Sequence, residues 1–206
     1  MPPLKPTKIV CVGRNYAAHA KELGNDVPSE PLIFLKPPSS LIRTGESIRL
    51  PSVSKQVEYE GEIGVVIGSR LRRAGLAEAR VAIAGIVAAN DVTARDLQKS
   101  DSQWTRAKGF DTFCAVGEMA GAPADLSTLV VRTRVNGQVR QEGRYTQLVF
   151  DIPTVLAYIS AVMTLEAGDL VLTGTPEGVG TLHPGDVVEV EIDGLSKVSN
   201  PVISDS

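Results

Sequence analysis

The segment Tyr59-Glu60-Gly61-Glu62-Ile63-Gly64-Val65-Val66-Ile67-Gly68 limits what this chain can become more than any other. It ends as an apolar run that reads as a buried strand, yet it begins with two carboxylates two residues apart. Side chains alternate across a strand, so Glu60 and Glu62 point to the same face. Two like charges on one face repel unless something cationic lies between them. Gly61 is a poor strand former and permits close approach of another backbone or a ligand. A hard divalent cation held by carboxylate oxygens accounts for all three oddities at once. The plainer alternative is a solvated strand end.

The surrounding chain suits a single globular domain spanning residues 1–206, with room for a sizeable core. Aromatic residues make up only 4%, so that core must be built mainly of Val, Leu, Ile and Ala. A net charge of -3 gives no electrostatic case for nucleic acid or an anionic membrane. Arg70, Arg72 and Arg73 form too short a cluster to change that and read as a solvated turn. No apolar run approaches a membrane span, and the N-terminus lacks a signal-like apolar region. Cys11 and Cys114 lie in apolar surroundings, as buried free thiols do, which points to a reducing cytoplasm.

In order, Lys8 to Val12 reads as a short buried strand. Asn15 is placed to cap a helix over Tyr16 to Leu23, ended by Gly24. That helix sets His19 and Glu22 three residues apart, hence on one face. A carboxylate beside an imidazole orients the ring and raises its basicity, as a general base requires; an ordinary exposed pair is the competing reading. Pro31 to Lys36 and Ser47 to Leu50 are the next strands, Gly75 to Ala82 is a surface helix, and Ile83 to Ala89 is another buried strand. Asp91 sits where that strand emerges, a common place for functional residues. Thr93 to Gln98 forms a helical turn that keeps Arg95 and Gln98 close to Asp91. Lys108 reads by itself as a surface lysine. Leu129 to Glu142 is a hairpin turned at Asn136-Gly137 with one wet face and no assigned chemistry. Pro153 opens a helix through Met163, and Asp169 to Thr173 is a strand entering the loop Gly174 to Gly180. That loop lacks the Gly-Lys-Ser/Thr ending of a phosphate-cradling loop. Thr175 offers a hydroxyl, and His183 lies in a turn facing solvent. A second hairpin, Asp186 to Ile192 and Leu195 to Val202, closes the chain.

Taken in order, Gly13-Arg14-Asn15-Tyr16, Glu60-Gly61-Glu62, Asp91-Val92-Thr93-Ala94-Arg95-Asp96, Lys108-Gly109-Phe110-Asp111 and Thr173-Gly174-Thr175-Pro176 resemble the fumarylacetoacetate hydrolase family. The match runs from Ile9 to Val202. The resemblance implies an α+β, β-rich fold of the mixed β-sandwich roll type. It also implies a bare catalytic domain like that of the short acylpyruvate hydrolases and oxaloacetate decarboxylases. It places metal carboxylates at Glu60, Glu62 and Asp91, for Mg²⁺ or Mn²⁺. It places a lysine that meets developing negative charge at Lys108, and substrate contacts at Arg95, Gln98 and Thr175. His19 and Glu22 match the His-Glu pair of the short hydrolases, on a segment that orders as a lid in relatives. A homodimer is implied by the same resemblance.

The implied chemistry is divalent-metal-dependent C–C bond hydrolysis or decarboxylation of acylpyruvates and other 2-oxo acids, such as fumarylpyruvate, acetylpyruvate or oxaloacetate. His19, oriented by Glu22, would activate the attacking water, and Lys108 would stabilise the enolate. The stretch from Gln98 to Trp104 is shorter than in the acylpyruvate hydrolases, and Gln103 to Lys108 is worded more like the isomerase and hydratase branch. An isomerase or decarboxylase of the 2-hydroxyhepta-2,4-diene-1,7-dioate type, from aromatic catabolism, is therefore the rival. A non-catalytic binding domain is the third reading; loss of a metal carboxylate would favour it, and all three are present.

Overall fold

The computed structural model describes residues 4–205. The first strands are β1 (Ile9–Gly13), β2 (Leu32–Lys36), β3 (Leu41–Ile42), β4 (Ile48–Leu50) and β5 (Val57–Tyr59). They are followed by β6 (Gly61–Ile67), β7 (Ile83–Asp91), β8 (Thr93–Ala94), β9 (Cys114–Val116) and β10 (Val130–Val135). The last are β11 (Gln138–Arg144), β12 (Leu170–Leu172), β13 (Gly180–Thr181), β14 (Val187–Ile192) and β15 (Ser196–Ser204). Five short helices lie between them: α1 (Ala17–Glu22), α2 (Leu76–Val81), α3 (Arg95–Ser100), α4 (Thr105–Gly109) and α5 (Ile152–Val162).

A seven-stranded mixed sheet runs β2-β1-β12-β6-β7-β9-β3, and a five-stranded sheet runs β11-β10-β14-β15-β4. A small sheet, β13-β5-β8, lies at the end of β6. The strand-rich α+β architecture agrees with the expected class. β6, flanked by β12 and β7, is buried along its whole length.

Alternation along β6 divides its work between two sides. Ile63, Val65 and Ile67 join Val131, Val190 and Ile192 of the five-stranded sheet in the main core. Val66 belongs instead with Ile9, Cys11, Val87 and Leu170 in a second cluster. Glu60 and Glu62 have the parity of Val66, so they point away from the sheet-to-sheet interface. Gly61 has the other parity. A Cβ there would lie 1.9 Å from Thr133 Oγ1 on β10, so the close approach expected at this glycine is to the opposing sheet.

Local rules place most of the remaining elements. Asn136 and Gly137 both have positive φ, 52° and 76°, as the tight β10–β11 turn requires. In α5 the Asp151 carboxylate accepts the Thr154 N–H, Pro153 occupies the first turn, and Ile152, Val155, Leu156 and Ile159 form the buried stripe. The segment read as one strand from Tyr59 is interrupted at Glu60, between β5 and β6. Asn15 does not cap α1, whose N-cap is Tyr16 without a side-chain bond. The Asn15 amide instead donates to the Phe150 and Thr173 carbonyls and accepts from the Phe150 N–H, tying three distant segments together. Both cysteines are free and buried, and burial pushes the Cys114 thiol up to about 12, which keeps it protonated and inert.

Candidate metal centre and active site

Glu60, Glu62 and Asp91 converge where β6 and β7 run side by side. The Glu60 N–H donates to Asn90 Oδ1 at 2.9 Å, and the Asp91 N–H donates to the Glu60 carbonyl at 2.8 Å. Gly61 pairs with Asn90 and Glu62 with Ala89, so the ladder sets both glutamates beside Asp91. One oxygen from each carboxylate lies within 4.8 Å of the others, and all three residues are buried.

Buried like charges require compensation, and three elements deliver cations. Lys108, in α4, donates to Glu60 Oε2 at 2.7 Å and to Asp91 Oδ2 at 2.8 Å. Its ammonium also lies 4.9 Å from the centre of the Phe34 ring. Lys36, at the end of β2, donates to Asp91 Oδ1 at 2.6 Å and to the Val92 carbonyl at 3.1 Å. Arg95, at the start of α3, donates to Glu58 Oε2 at 2.7 Å and to Glu60 Oε1.

These partners push the two glutamates in opposite directions. Burial alone would raise the Glu60 carboxyl, but Lys108 and Arg95 outweigh it and hold the group well below the usual carboxylate range. Glu62 is raised by burial and by the neighbouring Asp91 and Glu60 charges. Its Oε2 accepts the Gly174 N–H at 2.6 Å, and no cation pairs with it among the described residues. Four buried acids, Glu58, Glu60, Glu62 and Asp91, thus face three buried cations, Lys36, Arg95 and Lys108. An all-oxygen donor set with an uncompensated carboxylate fits a hard divalent cation, and Glu60, Glu62 and Asp91 are the residues that would hold it.

A cleft of about 240 Å³ opens onto this cluster. His19, Glu60, Glu62, Asp91, Arg95, Gln98, Lys108 and Thr175 all line it, and Glu22 stands just behind. His19 is buried, and its Nδ1 lies 3.1 Å from Glu22 Oε2. A carboxylate only accepts, so Nδ1 donates to it, which in the neutral ring leaves Nε2 as the acceptor nitrogen. Glu22 Oε1 accepts the Gly178 N–H at 3.0 Å, fastening α1 to the loop after β12. Gln98 Oε1 receives Arg95 Nη1 at 2.5 Å. The Thr175 hydroxyl donates to the Gly61 carbonyl at 2.9 Å and accepts from Gln141 Nε2 at 2.8 Å.

Four contributors escaped the sequence reading. Glu58 continues the two-residue alternation of Glu60 and Glu62, so the pattern could have revealed it. Lys36 ends an apolar strand, and a cation in that position is a usable signal. Asn90 differs: nothing local marks it as the acceptor of the Glu60 N–H. Gln141 lies on the hairpin given no chemistry, yet it is buried, accepts the Gly61 N–H and donates to Thr175 and the Pro176 carbonyl.

The model of the fumarylacetoacetate (FAA) hydrolase C-terminal family matches residues 8–203. The chain belongs to the fumarylacetoacetate hydrolase family. Among its relatives, an oxaloacetate decarboxylase, mitochondrial, of Dictyostelium discoideum is 47% identical over 195 residues, covering 91% of this chain and 89% of the relative. Two solved structures show how the family's chemistry varies around one fold. A 2-hydroxyhepta-2,4-diene-1,7-dioate isomerase from Mycobacterium marinum superposes with a TM-score of 0.91 at 44% identity, covering 99% of this chain and 77% of the other. A fumarylpyruvate hydrolase from Pseudomonas aeruginosa, in complex with Mn²⁺ and pyruvate, gives 0.90 at 31% identity, covering 97% and 91%. This fumarylacetoacetate hydrolase family member is therefore an enzyme of a group that includes decarboxylases, isomerases and hydrolases. No helix among its described residues is long and apolar enough to cross a membrane.

Proposed function

We propose that this enzyme cleaves a C–C bond of a short 2-oxo acid, decarboxylating oxaloacetate or hydrolysing an acylpyruvate, with Mg²⁺ or Mn²⁺ held by Glu60, Glu62 and Asp91. The observation that carries the reading is the placement of the His19–Glu22 pair on the same small cleft as a buried acid cluster with one uncompensated carboxylate. The Mn²⁺ and pyruvate of the Pseudomonas aeruginosa relative and the name of the Dictyostelium discoideum relative support it. When bound, the cation supplies Lewis acidity toward the carboxylate and keto oxygens of the substrate.

The chain's own residues do the rest. Arg95 and Lys108 keep Glu60 ionised and hold it in place. Lys108 carries positive charge where negative charge develops in the product enolate. His19 Nε2 accepts a proton from water, with Glu22 fixing the tautomer, while Gln98 and Thr175 bound the substrate. Decarboxylation needs no water attack, so the two reactions make different demands on His19. Homodimeric assembly is part of the proposal and is tested by sedimentation.

The short Gln98–Trp104 connection and the Mycobacterium marinum neighbour favour an isomerase as the second reading. Turnover of acetylpyruvate and oxaloacetate by metal-stripped protein, with and without added Mg²⁺ or Mn²⁺, tests the proposal. Metal-dependent pyruvate release is the expected result. No turnover of either acid with metal demonstrably bound transfers the assignment to the isomerase. His19→Ala is expected to lower acetylpyruvate hydrolysis by about 10²–10⁴-fold while metal affinity is unchanged. Equal loss of bound metal would sink the role given to His19.

A further inference from the structure

The strongest cations of the cleft are already committed: Lys108 to Glu60 and Asp91, and Arg95 to Glu58, the same Glu60 and Gln98. Arg14 is different. It lines the same cleft and makes no ion pair or side-chain hydrogen bond with another described residue. Its backbone is held in the left-handed region at φ 58°, where a non-glycine residue is costly. The chain keeps it there from both sides. Asn15 is fixed by three hydrogen bonds to Phe150 and Thr173. Gly13 packs so closely on Trp104 that a Cβ would meet the indole at 3.1 Å. A rigid turn thus presents a half-buried, unpaired guanidinium to a site whose floor is acidic. The acidic floor attracts this guanidinium but bonds to none of its donors among the described residues, so they stay available to an anionic guest.

We infer that Arg14 recognises a second carboxylate, at the end of the substrate remote from the 2-oxo group, and so selects 2-oxo dicarboxylates over 2-oxo monocarboxylates. The inference rests on the 2-oxo acid reading of the site. With a cation held by Glu60, Glu62 and Asp91, the carboxylate and keto end of the acid would be taken up there, leaving its far end to the other residues lining the cleft, Arg14 among them. A guanidinium binds a carboxylate through two parallel N–H donors, which gives geometry as well as charge. Lys99 also lines the cleft, but it is exposed and its charge is screened.

The test uses a matched pair, 2-oxoglutarate and 2-oxopentanoate, which share a five-carbon chain and differ in the distal carboxylate. Trp104 is the only tryptophan and lines the cleft, so its fluorescence reports binding without turnover. Titrations are made with Mg²⁺ present, on the wild type, Arg14→Asn and Lys99→Gln; asparagine tolerates the left-handed turn. The wild type is expected to bind the dicarboxylate about 10- to 100-fold more tightly. Arg14→Asn should bring that ratio to within about twofold of unity while 2-oxopentanoate binding is unchanged, and Lys99→Gln should keep the ratio. A ratio that survives Arg14→Asn, that disappears in Lys99→Gln, or that is unity in the wild type overturns the inference alone. Failure of the wild type to bind either acid overturns the 2-oxo acid reading and the inference with it.

Discussion

Gly61 offers a direct test of how the two sheets position the acid cluster. A Cβ at this position would sit 1.9 Å from Thr133 Oγ1 and 3.3 Å from both Thr133 Cβ and Val190 Cγ1. Gly61 is not among the residues with positive φ, so the substitution tests packing and not backbone conformation. To open the first contact to 3.0 Å, the sheets or the Thr133 side chain must give by about 1 Å, and overpacking of this kind costs about 1–3 kcal/mol. Thr133 is fully buried and its hydroxyl has no partner among the described residues, so Thr133→Ala removes the clashing atom and an unsatisfied group together. That single change should cost less than about 1 kcal/mol.

Urea unfolding of the wild type, Gly61→Ala, Thr133→Ala and the double variant closes the cycle. The double variant is expected to be at least about 1 kcal/mol more stable than the sum of the single effects predicts, because the alanine methyl moves into the space left by Thr133. Mn²⁺ affinity, measured by calorimetry, should follow: about 10- to 100-fold weaker in Gly61→Ala, whose neighbours are Glu60 and Glu62, and largely restored in the double variant. Additivity within about 0.5 kcal/mol would refute the idea that sheet contact at Gly61 sets the height of the two carboxylates.

Lys36→Met leaves the buried Asp91 carboxylate with only Lys108, and should destabilise the metal-free protein by about 3–5 kcal/mol in urea unfolding. Added Mg²⁺ should recover part of that loss, and a cost below about 1 kcal/mol would contradict the charge balance described above. Asp169 supports β12 at its base: burial opposes its ionisation, but Lys8, the Glu166 N–H and Thr7 outweigh that and hold its carboxyl below the usual value. A depressed folded pKa means the stabilisation is fully present above the unfolded value, near about pH 4, and is lost as pH falls through the folded one. The Tm difference between the wild type and Asp169→Asn should therefore be large at neutral pH and shrink in acid. An equal difference at both would disprove it.

The amino-acid sequence by itself determined the local elements and the chemistry of the acid pair. Alternation through Glu60, Gly61 and Glu62 specifies one shared face because strand side chains repeat every two residues. Asn136-Gly137 specifies a turn because those residues accept positive φ. Pro153 marks the start of α5 because its fixed φ suits the first helical turn. Each of these preferences acts over a few neighbouring residues, so a short window contains the whole cause.

Tertiary structure decided what surrounds those carboxylates. Gly174 reaches Glu62 across 112 positions of sequence, Lys36 reaches Asp91 across 55, and Gln141 reaches Gly61 across 80. Asn15 had the composition of a helix cap and became a clamp between β12 and the segment leading into α5. Lys108 read as a surface lysine and became a buried counter-ion. Which cation neutralises which carboxylate depends on sheet register and on how the second sheet docks, and neither is encoded in any local stretch. The face on which Glu60 and Glu62 lie was thus local information, whereas the lack of a paired cation at Glu62, among the described residues, arose only when the seven-stranded sheet was assembled.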